Sequence, residues 1–497
     1  MNDPEAARSV NVSDMSATRQ LDAESRQVPG ESSTQAPDPA TSRLGWGDLL
    51  AFTILAGLTV LFFWKIALTN QVLAGLDVFA YFYPYRDFAS EAVRAGRLPL
   101  WNPYLFMGAP LLANSQAAVL YPLHWPLAWL STPKQVAWSI ALHVWLAGGG
   151  TYLFVRLALR FRRLSAFLGA AIFALGGFLG AQVEHLNQLN ASAWLPWVLI
   201  CLEGAFAQGR RRWLAILGGG AIVGLALLAG HTQAAYIVLF GAGFYVLVRG
   251  WWDPSGSKWR CIQKGIGALT MMSLIGVALA AGQLLPTFEL SQLSVRSGGL
   301  PYNEAASFSL TPMLIFKAFL PPYLWQPPFS EFVAYISLAG LALAAVGAWS
   351  VLRQKPPATS QNTALAQGRA LLVLAVLGVF LAFGAYNPVY YLLYRAIPGF
   401  DLFRAPARWL LLYSFGAASL VSFGMEALSR LAGSRHRIRP GTWQMAIALF
   451  VVIELFLAGR RLAYNEPTSP AAYDSLRSAP GHLLASQLAA PTEPSRF

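Results

Sequence analysis

From Leu49 to Gly459 the chain repeats one pattern, in which apolar stretches alternate with short polar connectors. Each stretch runs about 17 to 23 residues, enough at the helical rise of about 1.5 Å per residue to cross a hydrocarbon core of about 30 Å. They fall near 48–68, 136–158, 165–181, 190–207, 213–229, 233–251, 264–285, 331–352, 369–387, 407–430 and 442–459. The pattern predicts an all-α polytopic membrane protein, a bundle of about eleven transmembrane helices spanning residues 45–459. Residues 1–44 have no apolar periodicity and no cleavable-signal pattern, so they are expected to form a disordered arm. Residues 460–497 form a short tail after the last stretch.

The polar connectors fix an expected orientation. Arg160–Arg162–Arg163, Arg210–Arg211–Arg212, Lys258–Arg260–Lys264, Arg353–Lys355 and Arg435–Arg437–Arg439 all fall on one side when the spans alternate from a cytoplasmic N-terminus. Positive connectors are retained on the cytoplasmic face, so the arm is expected inside and the tail outside. Three outer loops are long: 69–135, 286–330 and 387–406. Long loops in a compact protein are usually functional. In the first of them, Ala117 to Leu130 is apolar but short and holds Pro122 and Pro126, which suits a re-entrant or interfacial element. Pro84 to Gly96 places Tyr85, Phe88, Ala89, Ala92 and Val93 on one helical face, the pattern of an amphipathic helix lying on the outer membrane surface.

Composition agrees with the pattern. Charged residues are 12% of the chain and hydrophobic ones 56%, against about 25% charged in an average soluble domain. The net charge of +13 would raise nucleic-acid binding in a soluble protein, but its placement in short connectors assigns it to topology and lipid headgroups instead. Nucleic acid is therefore not an expected partner. Cys201 and Cys261 are the only cysteines, so neither a disulfide framework nor a cysteine metal site is expected.

Acidic groups are scarce in the outer half, which makes each one informative. Asp77 stands just past the first span among apolar and aromatic residues, where a carboxylate serves as a base, a metal ligand or a helix cap. Trp101, Asn102 and Gln116 lie in a Pro- and Gly-rich loop that either presents amides and an aromatic platform to a sugar or is simply an ordered loop. Glu184 and His185 form an adjacent acid and imidazole at an outer turn, and His231 with Gln233 repeats the theme at the next. With Asp77 these histidines leave room for a phosphate or a divalent cation such as Mg or Mn, although the spacing matches no ligand motif. Arg296, Arg404 and Arg408 place positive charge on the outer side, against the topology rule. Each calls for a local partner: an anionic lipid phosphate, or Glu289, Glu331 or Asp401.

In their order and spacing these segments resemble the YfhO-like bacterial membrane proteins, grouped with the GT-C class of polyprenyl-phosphate-dependent glycosyltransferases. The resemblance is carried by Asp77 through Pro84, Gly96 through Pro103, Gln116 to Pro122, Ala193 to Trp197, Gly230 to Gln233, Gln283 to Pro286 with Arg296, and Phe403 to Arg408. It implies a GT-C-like bundle in the bacterial inner membrane, with Asp77 acting at the extracytoplasmic surface. The implied substrates are a sugar on a polyprenyl phosphate and a glycan or lipid acceptor. Members often carry a larger extracytoplasmic C-terminal region than the residues 460–497 found here. Two other classes fit the same composition. A secondary transporter or flippase would be expected to show internal repeats and polar midplane segments, and neither is evident apart from Glu454. A noncatalytic envelope-assembly protein would keep the fold without turnover.

Overall fold

The computed structural model describes residues 44–105, 107–254, 256–294, 297–354, 363–432 and 440–477. The expected arm, residue Arg296 and the last part of the tail lie outside the described residues. Among the described residues the protein is all-helical; the only extended pairing is two isolated bridges, Val72 with Thr468 and Asn102 with Ala109.

The helices used below are α1 (Trp46–Phe62), α2 (Tyr83–Arg94), α3 (Thr132–Leu153), α4 (Arg163–Leu175), α5 (Leu186–Ser192), α6 (Leu195–Gly204), α7 (Arg210–Leu228), α8 (Thr232–Trp251), α9 (Lys258–Gln292), α10 (Leu338–Arg353), α11 (Ala364–Ala382), α12 (Pro388–Ala396), α13 (Leu410–Ala432) and α14 (Pro440–Gly459). Among the described residues, eight helical stretches are long and apolar enough to cross a membrane, and α1 and α10 are shorter apolar helices. The stretch expected at 190–207 is not one span. It is broken after Ser192 into α5 and α6: Asn190 and Ser192 interrupt the apolar run, and Pro196 sits in the first turn of α6, where a new helix starts. The other departure is α9. Its 35 residues make a rod of about 50 Å, longer than a hydrocarbon core, and it continues through Pro286, where the sequence pattern ends it. The Thr287 hydroxyl bonds back to the Gln283 carbonyl (2.8 Å) in the turn around that proline.

Burial separates centre from periphery. In the stretches Arg163–Glu184 and Pro406–Arg430, 89% of the apolar window is buried, against 28% in Lys258–Gln292 and 33% in Gly441–Gly459. So α4 and α13 form the axis of the bundle, and α9 and α14 turn most of their surface outward to lipid. Close crossing at the axis depends on missing side chains: a Cβ on Gly424 of α13 would lie 2.0 Å from the Leu343 carbonyl of α10, and one on Gly347 would lie 2.0 Å from the Leu420 carbonyl.

The loop after α1 folds onto the bundle rather than away from it. Residues 122–129 form two short 3₁₀ turns, not a helix. The amphipathic helix is present as α2, but its buried face is not the purely apolar one expected. Arg86 and Ser90 are buried with Tyr83 and Ala92, while Tyr85, Phe88 and Ala89 are half-buried. Arg86 reaches His124 Nε2 (2.8 Å) and Ser90 donates to Gln135 of α3 (2.7 Å), so polar contacts hold α2 against the bundle. The described part of the tail returns to the same region: Val72 pairs with Thr468, Lys65 donates to the Asn465 carbonyl (2.7 Å), and the Tyr83 and Tyr473 rings meet edge to face. Glu454, inside α14, accepts from the Leu338 amide (2.6 Å) and so caps α10.

Candidate active site

Asp77 stands at the start of a π-helical turn, Val78–Phe82, that leads into α2. Such turns widen a helix locally and recur at functional sites. Nearby, the chain passes the Glu184 carboxylate so closely that a Cβ on Gly75 would lie 2.7 Å from Oε1. Asp77 is therefore presented to the turn of Glu184 and His185. Its Oδ2 lies 3.9 Å from His185 Nε2, and its side chain is 60% exposed. The same His185 nitrogen lies 3.9 Å from Glu331 Oε1, whose side chain is 2% exposed.

Behind this open carboxylate is a closed ion pair. Arg408 donates to Glu331 Oε1 through Nε (2.9 Å) and Nη2 (2.7 Å), and through Nη1 to Gln233 Oε1 (2.6 Å). Gln233 in turn donates to the Arg404 carbonyl (2.6 Å), and Gln188 donates to the other Glu331 oxygen (3.3 Å). Burial alone would push the Glu331 carboxyl up; the Arg408 guanidinium outweighs it and holds the group below its ordinary value. For His185 burial prevails over the pull of Glu331, and its pKa is lowered, so the imidazole is neutral. His231, half-buried, uses Nδ1 to accept from the Ala234 amide (3.0 Å) at the start of α8, and burial pushes its pKa well down too.

Arg404 differs from Arg408. It is exposed, makes no ion pair among the described residues, and has its guanidinium carbon 6.0 Å from the centre of the Phe308 ring. The backbone that presents it is strained: Ala405 (φ +62°) and Phe308 (φ +55°) both occupy the left-handed region without being glycine. Bonds from Ala405 N to Ser307 O (3.0 Å) and from Ala407 N to Phe308 O (3.3 Å) tie the two together. Backbone strain of this kind collects at working sites.

The structure thus brings Asp77, Glu184, His185, His231, Gln233, Arg404 and Arg408 to one end of the bundle. Gln116 joins through its backbone, its carbonyl accepting from Asn187, while its own side chain is exposed. Trp101 and Asn102 are not brought in. Asn102 Oδ1 accepts from the Tyr104 amide (2.9 Å) and its backbone pairs with Ala109, while Trp101 lies over Gly108. Both serve the loop itself, because the Pro and Gly residues around them need local partners. Arg296 lies outside the described residues. Of the acidic partners weighed for the arginines, Glu331 takes Arg408, whereas Asp401 accepts from Gly399 (3.3 Å) within its own turn.

The sequence profile described as "Bacterial membrane protein YfhO" matches residues 117–477. The chain belongs to the YfhO family. No curated protein matches it. Among solved structures, the arabinofuranosyltransferase AftD from Mycobacteria is similar at TM-score 0.53 and 17% identity, over 90% of this chain but 29% of that one. Two others are more distant: ArnT from Cupriavidus metallidurans bound to undecaprenyl phosphate (TM-score 0.46, 13% identity, 91% of this chain and 82% of that one) and the Archaeoglobus fulgidus oligosaccharyltransferase (TM-score 0.48, 14% identity, 90% and 58%). This YfhO family member is a multi-pass membrane protein with the helical bundle of GT-C glycosyltransferases, and it spans well under half of the AftD chain.

In this YfhO-family chain two functional candidates escaped the sequence reading. In the sequence Glu331 stands out only as a partner for Arg296, Arg404 and Arg408, and nothing singles out Gln188. The available signal was the excess of outer cations, which demands a buried carboxylate somewhere on that side. Among the described residues no group of three or more His, Cys, Asp or Glu is placed to hold a metal ion, and Glu331 is already committed to Arg408.

Proposed function

We propose that the protein is a membrane glycosyltransferase that moves a sugar from a polyprenyl-phosphate donor to a glycan or lipid acceptor on the extracytoplasmic face of the bacterial inner membrane. The observation that carries this reading is the contrast at the site: Asp77 is exposed and unneutralised, 3.9 Å from a neutral His185, while the adjacent Glu331 is buried and paired with Arg408. Membership of the YfhO family and the GT-C-like bundle support it.

In the proposed reaction Asp77 accepts the proton of the acceptor hydroxyl as that oxygen attacks the anomeric carbon. The bond from the anomeric carbon to the phosphate oxygen breaks, and polyprenyl phosphate leaves with the electron pair, inverting the anomeric centre. Arg404 offers a guanidinium with no competing carboxylate to the phosphate oxygens, where charge develops. His185, kept neutral by burial, stands 3.9 Å from both Asp77 and Glu331 and flanks the base.

The test is transfer itself. The purified chain in lipid nanodiscs is incubated with polyprenyl-phosphate sugars labelled in the sugar, and label is followed into lipid or glycan acceptors. In parallel, a deletion strain is compared with wild type for lipid-linked sugars and envelope glycans. Transfer in vitro and a missing glycan with accumulated donor in the strain are expected. Unchanged glycans together with no transfer from any donor overturn the reading.

A further inference from the structure

One wall of the site carries polar groups that nothing in the fold uses. Gln182 Oε1, His185 Nδ1, Gln188 Oε1, Ser192 Oγ and Ser330 Oγ are buried and have no hydrogen-bond partner among the described residues. They form one seam. Gln182 donates its amide to the Ser330 carbonyl (3.2 Å), Gln188 donates to Glu331, and His185 lies 3.9 Å from Glu331. His185, Gln188 and Ser192 follow at intervals of three and four residues, which puts them on one helical face. The seam therefore begins beside Asp77, runs where Gln182, His185 and Gln188 meet the 3₁₀ turn Ser330–Phe332, and continues along the helical face to Ser192.

Native proteins leave few buried polar atoms unmade, because each one forfeits its bonds to water. Several along one seam mark a place where a polar ligand gains partners without competing for bonds that those atoms already make. Four of the five are oxygens, and the fifth is a ring nitrogen of a neutral histidine. Such a wall complements a ligand that offers O–H donors, which a sugar ring does and a phosphate does not. Its cations are spoken for: Arg404, whose charge reaches His185, is the group that the transferase reading gives to the donor phosphate. Arg408 is consumed by Glu331 and Gln233, and Asp77 and Glu184 add negative charge at the mouth.

Building on the transferase reading, we propose that this seam is the sugar subsite of the donor, closed in this conformation, and that it is selective for an uncharged sugar over a uronic acid. The donor's sugar opens it by displacing the turn Ser330–Phe332 from the segment 182–192, and sugar hydroxyls then donate to Gln182, Gln188, Ser192 and Ser330. A carboxylated sugar would meet Asp77 and Glu331, with Arg408 held by Glu331 and Arg404 taken by the donor phosphate.

The test is binding of three lipids to the full chain: polyprenyl phosphate alone, the same lipid carrying a neutral hexose, and the same lipid carrying a hexuronic acid. The neutral-hexose lipid is expected to bind about tenfold more tightly than the bare lipid, and the hexuronate no more tightly than the bare lipid. Ser192→Ala should reduce the hexose preference severalfold and Gln188→Met should abolish it, with affinity for the bare lipid unchanged. Because the Ser192 hydroxyl has no partner, its removal breaks no bond, and that variant carries the test if Gln188→Met does not fold. Equal binding of all three lipids, or a hexose preference retained in both variants, overturns the subsite while leaving transfer intact. Binding of none of the three overturns the transferase reading as well.

Discussion

The two ends of the bundle use the same residue types to different effect. At the end that carries the basic connectors, Asp48 is 4% exposed and fully engaged, accepting from Tyr152 (2.7 Å), Arg156 (2.8 Å), Arg163 (3.1 Å) and the Gly45 amide (2.9 Å). Glu203 at the same end accepts from Tyr245 (2.8 Å) and from Arg249 (2.8 Å), which also holds Asp253 (2.9 Å). At the opposite end Asp77 is open, Arg404 has no ion pair among the described residues, and a seam of polar atoms is unmatched. A carboxylate that accepts every bond it can is a structural pin. One left open next to a neutral imidazole and a free guanidinium is available to a substrate.

The sharpest way to break that comparison is one substitution at each end. Asp77→Asn keeps shape and removes charge, so turnover should fall by about 10²–10⁴-fold, the usual contribution of a general base, with the thermal transition unchanged. Asp48→Asn should do the reverse: it strands a buried arginine and lowers stability, while the folded fraction retains its turnover. Full transfer by Asp77→Asn removes Asp77 from the chemistry.

A second pair separates the two arginines. Arg408→Met leaves Glu331 buried without its cation and should cost about 3–5 kcal/mol of stability, read as a lowered thermal transition. Arg404→Ala should leave that transition in place and raise the KM for the lipid-phosphate donor. If both variants lower stability equally, the contrast between a paired and a free guanidinium is wrong.

Acidification should act on the Asp77 end of the bundle through its histidines. Burial depresses the pKa of His124, His185 and His231, so the unfolded chain takes up their protons first as pH falls. The stability they contribute is complete above the ordinary histidine value of 6.5 and is lost progressively below it. Glu331, held below its ordinary 4.5, adds a further loss at lower pH. Thermal transitions measured from neutral pH downward should fall in that order, and less steeply for His185→Gln. A transition flat through the histidine range contradicts neutral, buried imidazoles.

Much of the bundle was legible because lipid forces long apolar runs, and that signal needs no knowledge of tertiary contacts. The break at Trp194 was not, because Asn187, Gln188, Asn190 and Ser192 are few enough for hydropathy averaging to absorb. Pro286 misled in the other direction, since a helix usually stops at proline, whereas α9 continues through it to Gln292. Asp77, His185, His231 and Arg408, which the structure brings to one end of the bundle, stand out in the sequence by their rarity in the loops that lack the basic clusters. Glu331 was harder, because its role depends on Arg408, which lies 77 residues away in sequence.

The smallest expected effect tests where the site stops. Trp101 and Asn102 belong to the same Pro- and Gly-rich loop as Gln116, and composition alone does not separate a sugar platform from a well-made turn. The structure gives Asn102 a local task, accepting from the Tyr104 amide while its backbone pairs with Ala109, and it is 4% exposed. Removing that single bond in Asn102→Ala should cost about 1 kcal/mol, the usual worth of one buried hydrogen bond. Trp101 is 53% exposed, so Trp101→Ala should shift the thermal transition less still. Neither change should alter KM for donor or acceptor, because neither side chain touches the cluster around Asp77. If Trp101→Ala instead raises the acceptor KM severalfold with the transition unmoved, the loop reaches the substrate. The open end of the bundle would then extend beyond the residues that converge on His185.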